Sequence, residues 1–159
     1  LQLARSYMVF ANDGEIKPIS LLKINDAPAG ERVFSPYVAQ QIRAMLELVV
    51  QPGGTALQAQ IPGYRVAGKT GTAHKLAGRT YAVKSYISSF VGMAPASDPR
   101  YIVAVMIDDP SGGQYYGGAV AAPAFANVMG GVLRIQNVPA DATPADNAVV
   151  RWHQPAKEG

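Results

Sequence analysis

The 159-residue chain contains no cysteine. Disulfides, thiolate metal sites and cysteine nucleophiles are therefore excluded. The absence fits an oxidising compartment, where stray thiols are a liability, although cytosolic domains lacking cysteine are also common. Histidine is scarce as well, with two residues in the whole chain. Sustained apolar runs are missing too. The longest uncharged stretch, Pro110 to Leu133, holds six glycines, two prolines, Gln114 and Asn127, so it lacks the character of a membrane span. Any membrane anchor is expected outside this chain. The opening LQLARSYMVFANDGE shows no signal-peptide pattern, and a start at Leu instead of Met suggests a fragment or a processed chain.

Acidic residues are absent from one long interval. Between Glu47 and Asp98 there is none, while Arg65, Lys69, Lys75, Arg79 and Lys84 all fall there. A net charge of +3 is modest as a total, but this distribution is expected to attract an anionic group. Phosphate, a peptide carboxylate and nucleic acid are the candidates, and a solvated basic face is the plain alternative. What the chain does have is 48% hydrophobic residues against 16% charged, the balance of one globular domain with a sizeable core.

Leu3, Ala4, Tyr7, Met8 and Phe10 recur at helical spacing, closed by Asn12-Asp13-Gly14. KPISLLKI (17–24) carries β-type residues behind Pro18 and predicts a short strand. Ser35-Pro36 is a helix start, with Val38, Ile42, Met45, Leu46 and Val49 as its apolar face and Pro52-Gly53-Gly54 as its end. Tyr64 to His74 alternates like a strand, KLAGRTYAVK (75–84) reads as a polar connection, and SYISSFVGMAP (85–95) and RYIVAVMID (100–108) predict two more strands. Ala119 to Ile135 predicts a closing helix, with Pro123 in its first turn. Residues 137–159 are rich in Pro, Ala and Asp and are expected to form a mobile tail, leaving 1–136 as the folded part. Three consecutive strands make an antiparallel meander that the helices must cover, so the fold class is α+β.

The segment GYRVAGKTGTAHK (63–75) fits two chemistries. From Gly63 it matches the G-x-x-x-x-G-K-[ST] phosphate loop, and from Lys69 it spells Lys-Thr-Gly-Thr, one of three motifs of penicillin-recognising serine acyltransferases. The phosphate loop requires its Lys-Thr to open a helix, yet Gly71 and the β-branched Thr70 and Thr72 follow at once. It also requires a parallel sheet with helical crossovers, whereas here strand follows strand. The acyltransferase reading needs Lys-Thr-Gly on a strand lining a cleft. There Lys69 supplies positive charge, Gly71 permits close backbone approach, and Thr70 and Thr72 offer hydroxyl donors. A backbone N–H on that strand would serve an oxyanion hole. An ordinary solvent-facing strand is the plain alternative.

That chemistry also needs a serine in S-x-x-K and an S-x-N motif. Ser20-Leu21-Leu22-Lys23 has the first spelling, but a strand would point residues three apart to opposite faces, and no S-x-N occurs. The nucleophile is expected outside this chain.

With GYRVAGKTGTAHK, SYISSFVGMAPASDPRYIVAVMIDDPSGGQYYGGAVAAPAFANVMGGVLRIQNVP and the opening LQLARSYMVFANDGEIKPISLLKI, residues 1–139 resemble the C-terminal part of class B penicillin-binding proteins, the division-specific transpeptidases of Gram-negative bacteria above all. The resemblance implies the penicillin-binding, serine β-lactamase-like fold and a periplasmic enzyme at the inner membrane. Such an enzyme cross-links peptidoglycan stem peptides ending in D-Ala-D-Ala and is acylated by β-lactams. It implies that Lys69 hydrogen-bonds toward the nucleophile, and that Thr70 and Thr72 bind the substrate or β-lactam carboxylate. The Thr72 N–H would be half of the oxyanion hole. Tyr115 and Tyr116 would fall on the aromatic wall of the cleft, with Gly117 and Gly118 giving the turn. The family often carries Arg where this chain has His74. Implied partners are the N-terminal part of the same enzyme and membrane proteins of the division complex, with no nucleic acid and no metal or organic cofactor. Serine β-lactamases and non-catalytic peptide- or β-lactam-sensing domains share the fold, and a basic Tyr-bearing strand region would also suit single-stranded nucleic acid. Alone, the chain is expected to be inactive and poorly folded.

Overall fold

A computed structural model of the chain describes residues 1–26, 28–77 and 80–143. The first helix, α1 (Gln2–Ala11), ends as its sequence suggests. Asp13 and Gly14 take positive φ, and the Gly14 amide returns to Val9 O at 2.7 Å, satisfying a carbonyl that the helix end would otherwise leave open. A two-residue strand β1 (Glu15–Ile16) follows and pairs antiparallel with β2 (Glu31–Arg32). The strand expected over 17–24 does not form. Those residues run as coil and bend, and Leu21 and Leu22 are exposed, so no neighbour rewards the apolar side chains that suggested a strand.

Helix α2 (Pro36–Glu47) begins where Ser35-Pro36 predicts, the Ser35 hydroxyl accepting from the Val38 amide. Its buried face differs from the expected one. Val38 and Met45 are exposed, Ile42, Leu46 and Val49 half-buried, and the interior positions are Ala39 and Arg43. Arg43 reaches Phe10 O at 2.8 Å and Asp13 Oδ1 at 3.1 Å. A long cationic side chain thus fills the seam between α1 and α2 and caps the open carbonyl end of α1. A 3₁₀ turn (Leu48–Val50) continues α2, and a second (Leu57–Ala59) follows the Pro-Gly-Gly bend.

The sheet is the expected meander: β3 (Ala67–Ala77), β4 (Thr80–Ala94) and β5 (Tyr101–Asp108), antiparallel in the order β3-β4-β5. The polar connection expected over 75–84 is mostly strand, with residues 78–79 outside the described part. Thr80, Tyr81 and Val83 carry strand propensity that outweighs the flanking lysines, and the pairing absorbs a register shift between His74 and Leu76. The last helix, α3 (Gly117–Ile135), starts two residues before the expected Ala119. Pro123 therefore falls in the second turn instead of the first. Phe125, Met129 and Leu133 are fully buried with Phe90, Ala121 and Ala122 in one core cluster, and each large side chain contributes about 1.5–3 kcal/mol on burial. By length and composition α3 is apolar enough to cross a bilayer, but its Phe125–Met129–Leu133 stripe is covered by the sheet. On the opposite sheet face, Ala67, Met93 and Ala96 meet Tyr7, Phe10, Leu46 and Ile102 beneath α1 and α2.

The segment after α3 is tied to the body of the fold. Tyr64 donates its hydroxyl to Val138 O at 2.6 Å. Asp141 accepts from the Arg65 amide at 2.7 Å, the Ser97 amide at 3.1 Å and the Ser97 hydroxyl at 2.7 Å. The remainder of the expected tail, 144–159, lies outside the described residues.

Candidate active site

The Lys-Thr-Gly-Thr motif lies on β3, paired Lys69 to Val91, Thr70 to Phe90, Gly71 to Ser89 and Thr72 to Ser88. No helix begins at Lys69-Thr70, which removes the phosphate-loop reading. Because β3 ends the order β3-β4-β5, its outer edge is unpaired among the described residues. Strand alternation puts Thr70, Thr72 and His74 on the α3 side and Lys69 and Gly71 on the other.

Helix α3 starts hard against this strand. A Cβ on Gly117 would lie 2.3 Å from Ser89 O and 2.5 Å from Gly71 O, and one on Gly118 would lie 1.9 Å from Thr55 O. Only residues without side chains fit there, which explains why the helix begins two residues early. The Gly117 amide donates to Thr72 Oγ1 at 3.1 Å. A hydroxyl has two acceptor lone pairs and one proton, so this bond leaves the Thr72 proton available to a ligand. The Ser88 hydroxyl donates to Tyr115 O and anchors the approach to α3.

Lys69 curls along its own strand, Nζ donating to Thr70 O at 3.0 Å and lying 3.5 Å from Thr70 Oγ1. Among the described residues no carboxylate lies within ion-pair distance of it. The broad basic cluster expected around the motif is narrower in the structure. Arg65 pairs with Glu47 at 2.8 Å, and Lys75 with Asp108 at 2.8 Å, the latter hydrogen bond pushing the Lys75 ammonium above its ordinary range. Acidic residues distant in sequence return through the fold to neutralise these cations.

Tyr115 and Tyr116 stand beside the motif strand in a row of rings. His74 contacts Tyr86 at 4.5 Å, Tyr86 stacks on Tyr115 at 4.1 Å, and Tyr115 meets Tyr116 at 4.4 Å between centroids. The Tyr115 hydroxyl donates to Tyr116 Oη at 3.1 Å, which pushes the Tyr115 pKa up to about 12. Of the seven candidate positions, Lys69, Thr70, Gly71 and Thr72 lie on β3, Gly117 opens α3, and Tyr115 and Tyr116 immediately precede it. Sequence reasoning missed two neighbours. Tyr86 sits two residues before Ser88 on the same face of β4, a period-2 signal that was present. Thr55, whose Oγ1 lies 3.2 Å from Thr70 Oγ1, follows a Pro-Gly-Gly turn that carried no such signal. Ser20, in the rejected S-x-x-K spelling, lies in coil rather than the expected strand. Its hydroxyl is held by its own backbone, donating to Leu22 O at 2.6 Å.

A separate groove between α1 and the start of β5, near Arg5, Met8, Ile19 and Arg100, carries none of these residues. The shallow pocket that includes Lys69 also takes in Gly53, Gly54 and Thr55. Cationic, hydroxyl and aromatic groups gather on β3 and at the entry to α3, and among the described residues of this site no serine is paired with a base.

The chain belongs to the family of penicillin-binding protein transpeptidase domains, which it matches over residues 1–130. It is similar to PbpC, a probable peptidoglycan D,D-transpeptidase of Pseudomonas aeruginosa. The two are 51% identical over 140 residues, covering 88% of this chain and 25% of that protein. It is likewise similar to the peptidoglycan D,D-transpeptidase FtsI of Escherichia coli K12, at 46% identity over 142 residues, 89% of this chain and 24% of that protein. The transpeptidase domain of Burkholderia pseudomallei penicillin-binding protein 3 has the same arrangement, with a TM-score of 0.82 at 51% identity, over 89% of this chain and 44% of that one. The α+β penicillin-binding fold and the resemblance to FtsI-type transpeptidases are thus borne out. The chain spans about a quarter of the length of the curated relatives it matches.

Proposed function

We propose that this chain supplies the Lys-Thr-Gly-Thr wall of a serine D,D-transpeptidase site whose nucleophile and S-x-N motif belong to a part of the enzyme outside residues 1–159. The serine hydroxyl attacks the D-Ala-D-Ala carbonyl of a peptidoglycan stem peptide, terminal D-Ala leaves, and an amine of a neighbouring stem peptide takes the acyl group. β-Lactams acylate the same serine. Lys69 relays a proton toward the nucleophile and stabilises charge near it. Thr70 and Thr72 donate to the carboxylate of the substrate or the drug, and the Thr72 N–H forms half of the oxyanion hole. Gly71 and Gly117 keep this wall low enough for a peptide to approach, and Tyr115 and Tyr116 flank the bound side chain. The intact enzyme works in septal wall synthesis on the periplasmic side of the inner membrane, beside membrane proteins of the division complex. As a β-lactam target it is a place where antibiotic resistance arises.

The observation that carries this reading is a Lys69 ammonium with no carboxylate partner, 3.5 Å from the Thr70 hydroxyl, on a strand edge that is unpaired among the described residues. The test uses a hybrid in which residues 1–143 replace the matched part of the B. pseudomallei transpeptidase domain. The hybrid is expected to be labelled by a fluorescent penicillin. Lys69→Ala should slow labelling on the order of 100-fold or more, the scale of a lost proton relay or charge stabiliser. An unlabelled but folded hybrid, or a Lys69→Ala variant labelled at the parent rate, would overturn the assignment.

A further inference from the structure

We propose that Thr55 is a positioning residue of the cleft, holding the Thr70 hydroxyl so that its proton is delivered to an anionic group of the ligand. The inference rests on the carboxylate-binding role proposed for Thr70 and extends it to a residue outside the motif strand.

The two motif threonines differ in what stands behind them. Thr72 has the Gly117 amide, a group that can only donate, at 3.1 Å from its Oγ1. Its own proton is therefore free to point outward. Thr70 has the Thr55 hydroxyl at 3.2 Å, and either oxygen can be the donor. A carboxylate arriving at Thr70 only accepts. It selects the order Thr55 to Thr70 to ligand, in which each hydroxyl polarises the next. Lys69 Nζ, 3.5 Å from the same Thr70 oxygen, favours that order because it too directs a proton at Thr70 Oγ1.

Thr55 is fixed well enough for this work. The Ala56 amide next to it donates to Val49 O at 2.9 Å, and the Gly54 amide before it to Gln51 O at 2.8 Å. A Cβ at Gly54 would lie 2.3 Å from Val49 O, so the turn closes tightly on the 3₁₀ turn that follows α2. From the other side the Thr55 carbonyl lies where a Gly118 side chain would begin, and Thr70 Cγ2 is only 3.5 Å from that same point. The first turn of α3, β3 and the Pro-Gly-Gly turn therefore hold Thr55 against Thr70. A tight turn that brings one hydroxyl to another, in the lining of the pocket that also holds Lys69, has a consequence for ligand binding that packing alone does not require.

The hybrid domain tests this with benzylpenicillin and its methyl ester, which differ in the carboxylate. Thr55→Val keeps the shape and removes the hydroxyl, and Thr55→Ser restores it. For the acid, Thr55→Val is expected to raise the half-saturating concentration about fivefold, the scale of one hydrogen bond, with the acylation rate at saturation little changed. For the ester the effect should vanish. Thr55→Ser should behave as the parent, and thermal melts should show all three proteins folded. Parent-like kinetics of Thr55→Val with the acid would overturn the proposal, as would an equal loss on acid and ester or a failure of Thr55→Ser to restore binding. A parent hybrid that never reacts would instead overturn the transpeptidase reading, and this inference with it.

Discussion

The Gly117 amide donates to the Thr72 hydroxyl at 3.1 Å, and this one bond joins the start of the last helix to the motif strand. Close approach makes it possible, since a Cβ at Gly117 would lie 2.3 Å from Ser89 O and 2.5 Å from Gly71 O. Backbone atoms cannot turn aside as a side chain can. Gly117→Ala should therefore lift α3 from β3, destabilise the fold by about 1–3 kcal/mol as overpacking does, and slow penicillin labelling. Gly131→Ala is the control, because nothing lies within 4 Å of its Cβ. A helical glycine in open space should give the opposite sign, a stabilisation of about 0.5–1 kcal/mol. Thermal melts of the two hybrid variants measure both.

Asp141 should matter more than its place in a Pro/Ala-rich stretch suggests. It accepts from the Arg65 amide at 2.7 Å and from the Ser97 hydroxyl at 2.7 Å, bridging the entry to β3 and the turn between β4 and β5. Asp141→Ala is expected to cost about 1–3 kcal/mol, since it leaves donors without their charged acceptor. Stopping the chain at residue 136 should cost at least as much. Urea denaturation of the two variants is the measurement, and unchanged midpoints would show that the bridge contributes nothing.

The Tyr115 hydroxyl donates to Tyr116 Oη, and its pKa is pushed up to about 12. A raised folded-state pKa favours the protonated form in the folded protein. The associated stability is complete below the unfolded tyrosine value of about 10. It is lost as the pH climbs from there toward 12. In ultraviolet titration of the hybrid, the band removed by Tyr115→Phe should appear late, near the top of that window. Tyr116→Phe removes the acceptor and should bring it down toward 10, the ordinary tyrosine value. A Tyr115 band that titrates at the same pH with and without Tyr116 would refute the hydrogen bond as the cause.

Val38, Met45, Leu48 and Met106 are all exposed, a large apolar area for a domain of this size to leave in water. The isolated chain is expected to melt broadly or to bind a hydrophobic dye, and the hybrid to melt sharply. Calorimetry decides between them, and a sharp cooperative transition of the isolated chain would contradict the expectation.

Local signals carried the fold where the local reward and the tertiary reward coincide. Ser35-Pro36 started α2 at the expected residue, and the β-type runs over 85–95 and 100–108 pointed to the meander, because capping and strand propensity are short-range effects. The misses lie where a distant partner decides. Arg43 is interior only because α1 ends beside it, and the strand expected over KPISLLKI has no neighbour to pair with. Gly117 and Gly118 belong to α3 only because β3 and Thr55 press against it. The site was legible as Lys69 to Thr72 with the tyrosine pair, since the motif spells its own chemistry. Thr55 and Tyr86 reach it through the fold.

The most direct measurement is peptide-level mass spectrometry of the hybrid domain after reaction with benzylpenicillin. The account predicts one adduct, on a serine of the part that residues 1–143 do not supply, and its disappearance when Lys69 is replaced by alanine under the same brief exposure. An adduct on Ser20, or on any other serine of this chain, would contradict it.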